Sequence, residues 1–149
     1  MIDMISKGKG NQEIVTLTVT EVDYMRLTNL IQTLRGNKSV DKIYLDYLEL
    51  ELQKASKVDS KLITPDFVTM NSIVHISFLG TNKTMELRLA YPRNANFSEG
   101  SISILSPLGC ALLGYKSGDV VSFKVPKGEQ QVKIEKVIYQ PEANGEDLV

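Results

Sequence analysis

The chain has 149 residues, 42% of them hydrophobic, which suits one ordinary domain or a small domain with an appendage and excludes wholesale disorder. Seventeen Lys and Arg against eighteen Asp and Glu leave a net charge of −1, so there is no general attraction to nucleic acid or to an anionic membrane. One Cys (Cys110) and one His (His75) exclude an internal disulfide and a Cys/His zinc site within the chain. No apolar run approaches the ~20 residues of a membrane-spanning helix, and the opening residues Met1-Ile-Asp-Met-Ile-Ser-Lys-Gly-Lys-Gly10 carry their charges in the wrong order for a secretory signal. A reducing, cytoplasmic location is the expectation, with no membrane partner.

In chain order, residues 1–13 are polar, contain Gly8 and Gly10, and read as a mobile tail. Ile14–Val19 alternates in β-formers and predicts a short strand. Thr20-Glu-Val-Asp23 reads as a helix cap with an acidic first turn. Leu27, Leu30, Ile31 and Leu34 then recur at helical spacing up to Arg35-Gly36-Asn37. Ser39 is the expected cap of a second helix, whose stripe is Val40, Ile43, Tyr47 and Leu50, widened by Tyr44, Leu48 and Leu52. Two such helices joined by a few polar residues predict an antiparallel hairpin, or short coiled coil, within residues 14–60. Each arm, at roughly 15–18 residues, is about 22–27 Å long.

Lys57–Asp66 reads as a polar connector closed by Pro65. A β pattern follows over 67–140. Val74–Phe78, Met85–Leu89, Ile102–Ile104, Val120–Val125 and Val132–Val137 alternate between turn signals, predicting a mainly antiparallel sheet of about five strands. Within it, Ser106 is placed to cap a short helix that Pro107 starts and Gly114 stops in the left-handed conformation, with Gly118-Asp119 as the next turn. Ala111, Leu112 and Leu113 give that helix one apolar turn, and Cys110 reads as a small buried hydrophobe. Residues 141–149 read as a loosely held acidic tail. The fold class is α+β.

Residues 67–147 carry Val68-Thr-Met-Asn-Ser72, Tyr91-Pro92, Pro107-Leu-Gly109, Ala111-Leu-Leu-Gly114, Gly118-Asp119, Pro126-Lys-Gly128 and Tyr139-Gln-Pro-Glu-Ala-Asn-Gly145. In order and spacing this stretch resembles the C-terminal, FKBP-like domain of the Gre-type transcription elongation factors, and within them the bacterial regulators of nucleoside diphosphate kinase. The N-terminal half resembles that family in its layout of paired helices. The resemblance implies a partner, bacterial RNA polymerase, gripped at the rim of its secondary channel, with nucleic acid met only indirectly and no cofactor. In that family a loop reading Asp-Ser-Pro touches polymerase. Here it is Leu105, Ser106 and Pro107, with an apolar residue replacing the acid. Leu108 and Tyr115 are expected as apolar anchors beside it. The chain is expected to be a monomer.

Gre factors stimulate transcript cleavage by placing acidic residues at the coiled-coil tip, where carboxylates help hold a second Mg²⁺ that activates water. The tip here, Arg35-Gly-Asn-Lys38-Ser-Val-Asp41-Lys42, has three cations and one carboxylate. The next acid, Asp46, lies about 140° around the helix from Asp41. A net positive tip repels a metal ion. The expectation is docking without cleavage, with Arg35, Lys38 and Lys42 meeting acidic channel surface, and with no catalytic or metal-binding residue of the chain's own. Two rival readings stand beside it: an FKBP-like peptidyl-prolyl isomerase, for which the chain has only Phe67, Phe78, Phe97 and Phe123 and no Trp to wall a pocket, and an indirect regulator of nucleotide metabolism, for which it has no phosphate-binding Gly-rich Lys loop.

Overall fold

The computed structural model describes residues 17–146. The expected tail over 1–13 and the first half of the predicted strand at Ile14–Val19 lie outside them. What is described of that strand sits one residue later: β1 is Thr18–Thr20, and it leads directly into helix α1, Glu21–Arg35. Thr20 is the cap, its Oγ1 accepting from the Asp23 N–H at 3.0 Å, with Glu21 and Asp23 in the first turn and Arg35 in the last, each charge matched to its end of the helix dipole. Leu27 and Ile31 are buried, and Leu30 and Leu34 pack half-buried beside them.

Helix α2, Lys42–Lys54, departs from the expectation in two ways. Its cap is Asp41, whose carboxylate accepts from the Ile43 N–H at 3.1 Å, while Ser39 instead donates its N–H and hydroxyl to the Asn37 side chain. Its buried stripe is Leu45, Leu48 and Leu52. Ile43, Tyr44 and Leu50, predicted to face inward, are exposed. Leu48 and Leu52 of the expected stripe are buried and Val40 and Tyr47 pack half-buried on the core, whereas Ile43 and Leu50 lie roughly opposite Leu45 and Leu52 at about 100° per residue. The face that meets the rest of the core wins.

The start of α1 (Tyr24, Thr28) lies beside the end of α2 (Leu52, Gln53), and Arg35 lies beside Glu49, so the helices run antiparallel, side by side. After α2 the chain forms β2, Ser56–Val58, a strand not foreseen in the polar connector. It pairs in parallel with β1, Thr18 opposite Ser56.

The five expected strands are present: β3 (Ile73–Phe78), β4 (Thr84–Ala90), β5 (Ser101–Ser103), β6 (Val120–Val125) and β7 (Gly128–Tyr139). They form one sheet in the order β5-β4-β3-β7-β6, antiparallel except for the β4–β5 pair. Val74, Ile76 and Phe78 of β3, Leu87 and Leu89 of β4, and Val132 and Ile134 of β7 alternate onto one face. The register of β7 against β3 slips twice, so that Val137 returns opposite Val74 on the buried side although its parity differs from that of Ile134. The helix α3, Pro107–Leu112, closes the same face against β6 and β5. The buried side chains form one cluster that runs from this sheet through α3 into Leu27, Ile31, Leu45, Leu48 and Leu52 of the helix pair. His75 lies on the opposite, outer face of the sheet, across from Glu86 and Lys136. The α+β expectation holds.

Candidate partner-binding site

The segment from β5 to α3 is tied together by serine hydroxyls. Ser106 Oγ accepts from the Gly109 N–H at 3.1 Å and donates to the Ser103 carbonyl at 2.7 Å. The Ser106 N–H donates to the same carbonyl at 3.0 Å, and Ser103 Oγ takes the Leu105 N–H at 3.0 Å. Pro107 stands at the first helical position, where its missing N–H leaves nothing unpaired. Gly114 ends the segment at φ +87° with its N–H on the Val68 carbonyl, as the pattern predicts. Leu105, Ser106 and Pro107 are half-buried at the rim. Leu108 and Tyr115 are 8% and 4% exposed, so the two expected anchors are corrected: they point inward and fill the core, and the accessible surface narrows to residues 105–107. Replacing Ser106 with Ala should cost about 1 kcal/mol and lower the melting temperature by roughly 2–4 °C, the loss of an N-cap. A melting curve superimposable on the parent would show that the cap is dispensable.

At the far end of the helix pair, Arg35 Nη2 lies 3.0 Å from Asp46 and 2.6 Å from Glu49, and Lys42 Nζ lies 2.9 Å from Asp46. The hydrogen bond to Glu49 holds the Arg35 guanidinium above its ordinary pKa, and Lys42, followed by Arg35, holds the Asp46 carboxyl below its own. Asp41 is committed to its cap. Counted over residues 35–49, three cations (Arg35, Lys38, Lys42) stand against three carboxylates (Asp41, Asp46, Glu49), and of the cations Arg35 and Lys42 are paired. The positive tip read from residues 35–42 is thereby neutralised by the next turn and a half of α2. Lys38 is exposed.

Sequence reasoning missed the junction between α1 and the sheet. Asp23 is 4% exposed, and its carboxylate accepts from the Met70 N–H at 3.0 Å. Thr69 donates its hydroxyl to Glu142 at 2.7 Å and its N–H to Ser72 Oγ at 2.9 Å. Asn71 sits between them at φ +69°, a conformation Asn tolerates, with its carbonyl taken by Arg88. Residues 141–146, read as a loose tail, are held here: Glu142–Asn144 forms a 3-10 turn, and Glu146 accepts from the Tyr139 hydroxyl. Two depressions flank the junction. One, about 330 Å³, is walled by Asp23, Glu142 and Glu146. The other, about 780 Å³, is a groove between α1 and the turn Tyr91–Asn94. They meet at Arg26 and Asn71. Burial pushes the Tyr91 phenol in the groove floor up to about 12, with Asp23 adding to the shift and Arg26 opposing it.

Neither depression is lined by Ser, Cys, Lys or His. Cys110 is buried under α2, and desolvation pushes its thiol up to about 12, which removes the thiolate that reaction or metal binding needs. Phe78 and Phe123 are buried in the core, Phe67 is half-buried and Phe97 is exposed. Among the described residues no cluster of His, Cys, Asp and Glu is placed to hold a metal ion, and no helix is long and apolar enough to cross a membrane.

The molecule is thus of the α+β class in which an antiparallel helix pair is mounted on a five-stranded sheet closed on one face by a short proline-started helix. Residues 63–139 match the family described as transcription elongation factor, GreA/GreB, C-term, and the chain belongs to that family. It is similar to the regulator of nucleoside diphosphate kinase of Escherichia coli (strain K12), with 33% identity over 105 residues that cover 70% of this chain and 77% of that protein. It is also similar to transcription elongation factor GreA of Alkaliphilus oremlandii (strain OhILAs), with 37% identity over 93 residues, 62% of this chain and 58% of that one. Among solved structures it resembles a prokaryotic transcription elongation factor GreA/GreB from Nitrosomonas europaea, with a TM-score of 0.68 and 37% identity over 83% of this chain and all of the other.

Proposed function

We propose that the protein is a regulator of transcription that binds RNA polymerase at the entrance of its secondary channel and does not stimulate transcript cleavage. Membership of the GreA/GreB family and likeness to GreA supply the partner. The observation that carries the rest is the state of the tip carboxylates. Cleavage stimulation needs two oxygen donors free to share a metal ion at the leading end of the helices. Asp41 is used as a cap, while Asp46 and Glu49 sit behind the tip and hold Arg35. That donor set does not fit a metal ion. The surface offered to polymerase is the rim at Leu105, Ser106 and Pro107, with Lys38 and Lys42 exposed at the tip. The β domain acts as a grip, FKBP-like in shape without an isomerase pocket.

The test is a binding and competition experiment with bacterial core polymerase, followed by a cleavage assay on backtracked complexes. The expected result is binding, displacement of a cleavage-competent GreA, and no shortening of the transcript. Absence of binding removes the function, and accelerated cleavage removes the account of the tip.

A further inference from the structure

We propose that the groove between α1 and the turn Tyr91–Asn94 is a second docking surface, which takes an acidic, partly apolar polypeptide segment of RNA polymerase. This rests on the polymerase reading above. The groove has the size of a recognition site, about 780 Å³, and both its walls combine apolar, amide and cationic groups. Leu30 and Leu34 of α1 and Pro92 opposite give it apolar sides, while Asn29 and Asn94 offer amide donors and acceptors along its length. The lining contains two arginines and no carboxylate. Arg93 is exposed and has no ion pair among the described residues. At the tip Arg35 and Lys42 are paired with Asp46 and Glu49, whereas Arg93 stands in the groove wall with no carboxylate beside it in the lining.

Position joins the groove to the rim proposed above. Strands β4 and β5 are parallel, with Ala90 opposite Ser103. The turn that walls the groove leaves β4 and the turn at Leu105–Pro107 leaves β5, so both emerge from the same end of the sheet. The Ile104 N–H to Ala90 carbonyl bond, 2.9 Å, holds their roots together. A partner seated on residues 105–107 therefore has the groove as neighbouring surface.

The occupant is a polypeptide and not a nucleic-acid strand for two reasons. The groove runs at Arg26 into the depression walled by Asp23, Glu142 and Glu146, which repels a backbone charged at every residue but tolerates a peptide with a local acid. Its one aromatic, Tyr91, is half-buried with its hydroxyl buried, and a single partly covered ring is a poor platform for stacking successive bases.

The experiment measures affinity of the full chain for core polymerase at two or more salt concentrations, for the parent, R93E, T33W and K127E. Arg93, Thr33 and Lys127 are all exposed, so each variant keeps the fold, which circular dichroism confirms. R93E should weaken binding on the order of tenfold and flatten its salt dependence. T33W, which fills the groove, should weaken it at every salt concentration. K127E, in the distant β6–β7 turn, should bind as the parent does. Parent-like binding by both R93E and T33W overturns the groove while leaving the polymerase reading standing. Absence of binding by the parent overturns both. Binding of single-stranded RNA by the parent that R93E abolishes reassigns the groove to nucleic acid and overturns the proposal.

Discussion

Replacing Gly109 with Ala should destabilise the protein by about 3 kcal/mol or more, the upper range for overpacking a core, and lower its melting temperature by roughly 6–12 °C. A Cβ on Gly109 would stand 2.1 Å from the Ser103 carbonyl oxygen and 2.9 Å from its carbon. Both are backbone atoms of a paired strand, so neither can swing aside. Helix α3 would have to lift off β5, and that movement breaks the two bonds that Ser106 makes to the same carbonyl. The cost is a large part of the ~5–15 kcal/mol that holds a domain together. It should reach function as well, because residues 105–107 hang on those bonds, and affinity for polymerase should fall with stability. Gly36 is the matched control. It has φ −85° with nothing within 4 Å of an added Cβ, so Gly36→Ala should be neutral or stabilising by up to about 1 kcal/mol. Denaturant titration of both variants decides it. A Gly109→Ala protein within about 0.5 kcal/mol of the parent would mean that α3 is not seated as closely on β5 as the distances state.

The short helix that makes this approach is legible in the sequence, since Ser106, Pro107 and Gly114 announce it by local chemistry alone, but its closeness to β5 is not. The strands were equally legible. Alternation at Val74, Ile76 and Phe78 needs only one buried face, and even the bulges in β7 left a trace in the odd spacing from Ile134 to Val137. What stayed hidden is what depends on distant partners. In α2 Ile43 and Leu50 stand seven residues apart, as regularly spaced as Leu45 and Leu52. Only the packing of the second pair into the common core distinguishes them. Arg35 read as a free cation because its partners come 11 and 14 residues later, across the loop. Leu108 read as a surface anchor because a helix of six residues is too short for its pattern to show which way it faces, and Tyr115 because it follows the glycine that ends that segment. The strand β2 was lost among the polar residues of Ser56–Val58, whose pairing is set by where α1 and α2 return the chain.

The same blindness to distance applies to Asp23, which reads as an ordinary acidic residue of a helix's first turn. Replacing it with Ala should cost about 2–3 kcal/mol, and should loosen the seating of α1 on the sheet before it unfolds the whole. The carboxylate is buried and takes the N–H of Met70, 47 residues away, so its removal leaves that buried N–H without this acceptor. It also removes a negative charge from the positive end of the α1 dipole. Met70 belongs to the turn in which Thr69 is bonded to Ser72 and Glu142, so one carboxylate ties together α1, the lead into β3 and the C-terminal turn. Asp23→Asn keeps an acceptor of the same shape and should recover part of the loss, as a neutral hydrogen bond is weaker than a charge-assisted one. Two measurements separate local loosening from global loss. Amide exchange at Met70 should accelerate in Asp23→Ala by more than the change in global stability accounts for, and affinity for polymerase should fall in the order parent, Asp23→Asn, Asp23→Ala. The functional consequence follows from position: Asp23 lies at the root of α1, between the groove and the acidic depression, and the helix it anchors carries one wall of the groove. If Asp23→Ala exchanged and bound like the parent, the helix pair would be held on the sheet by its leucines alone, and the polar junction would have no part in orienting it.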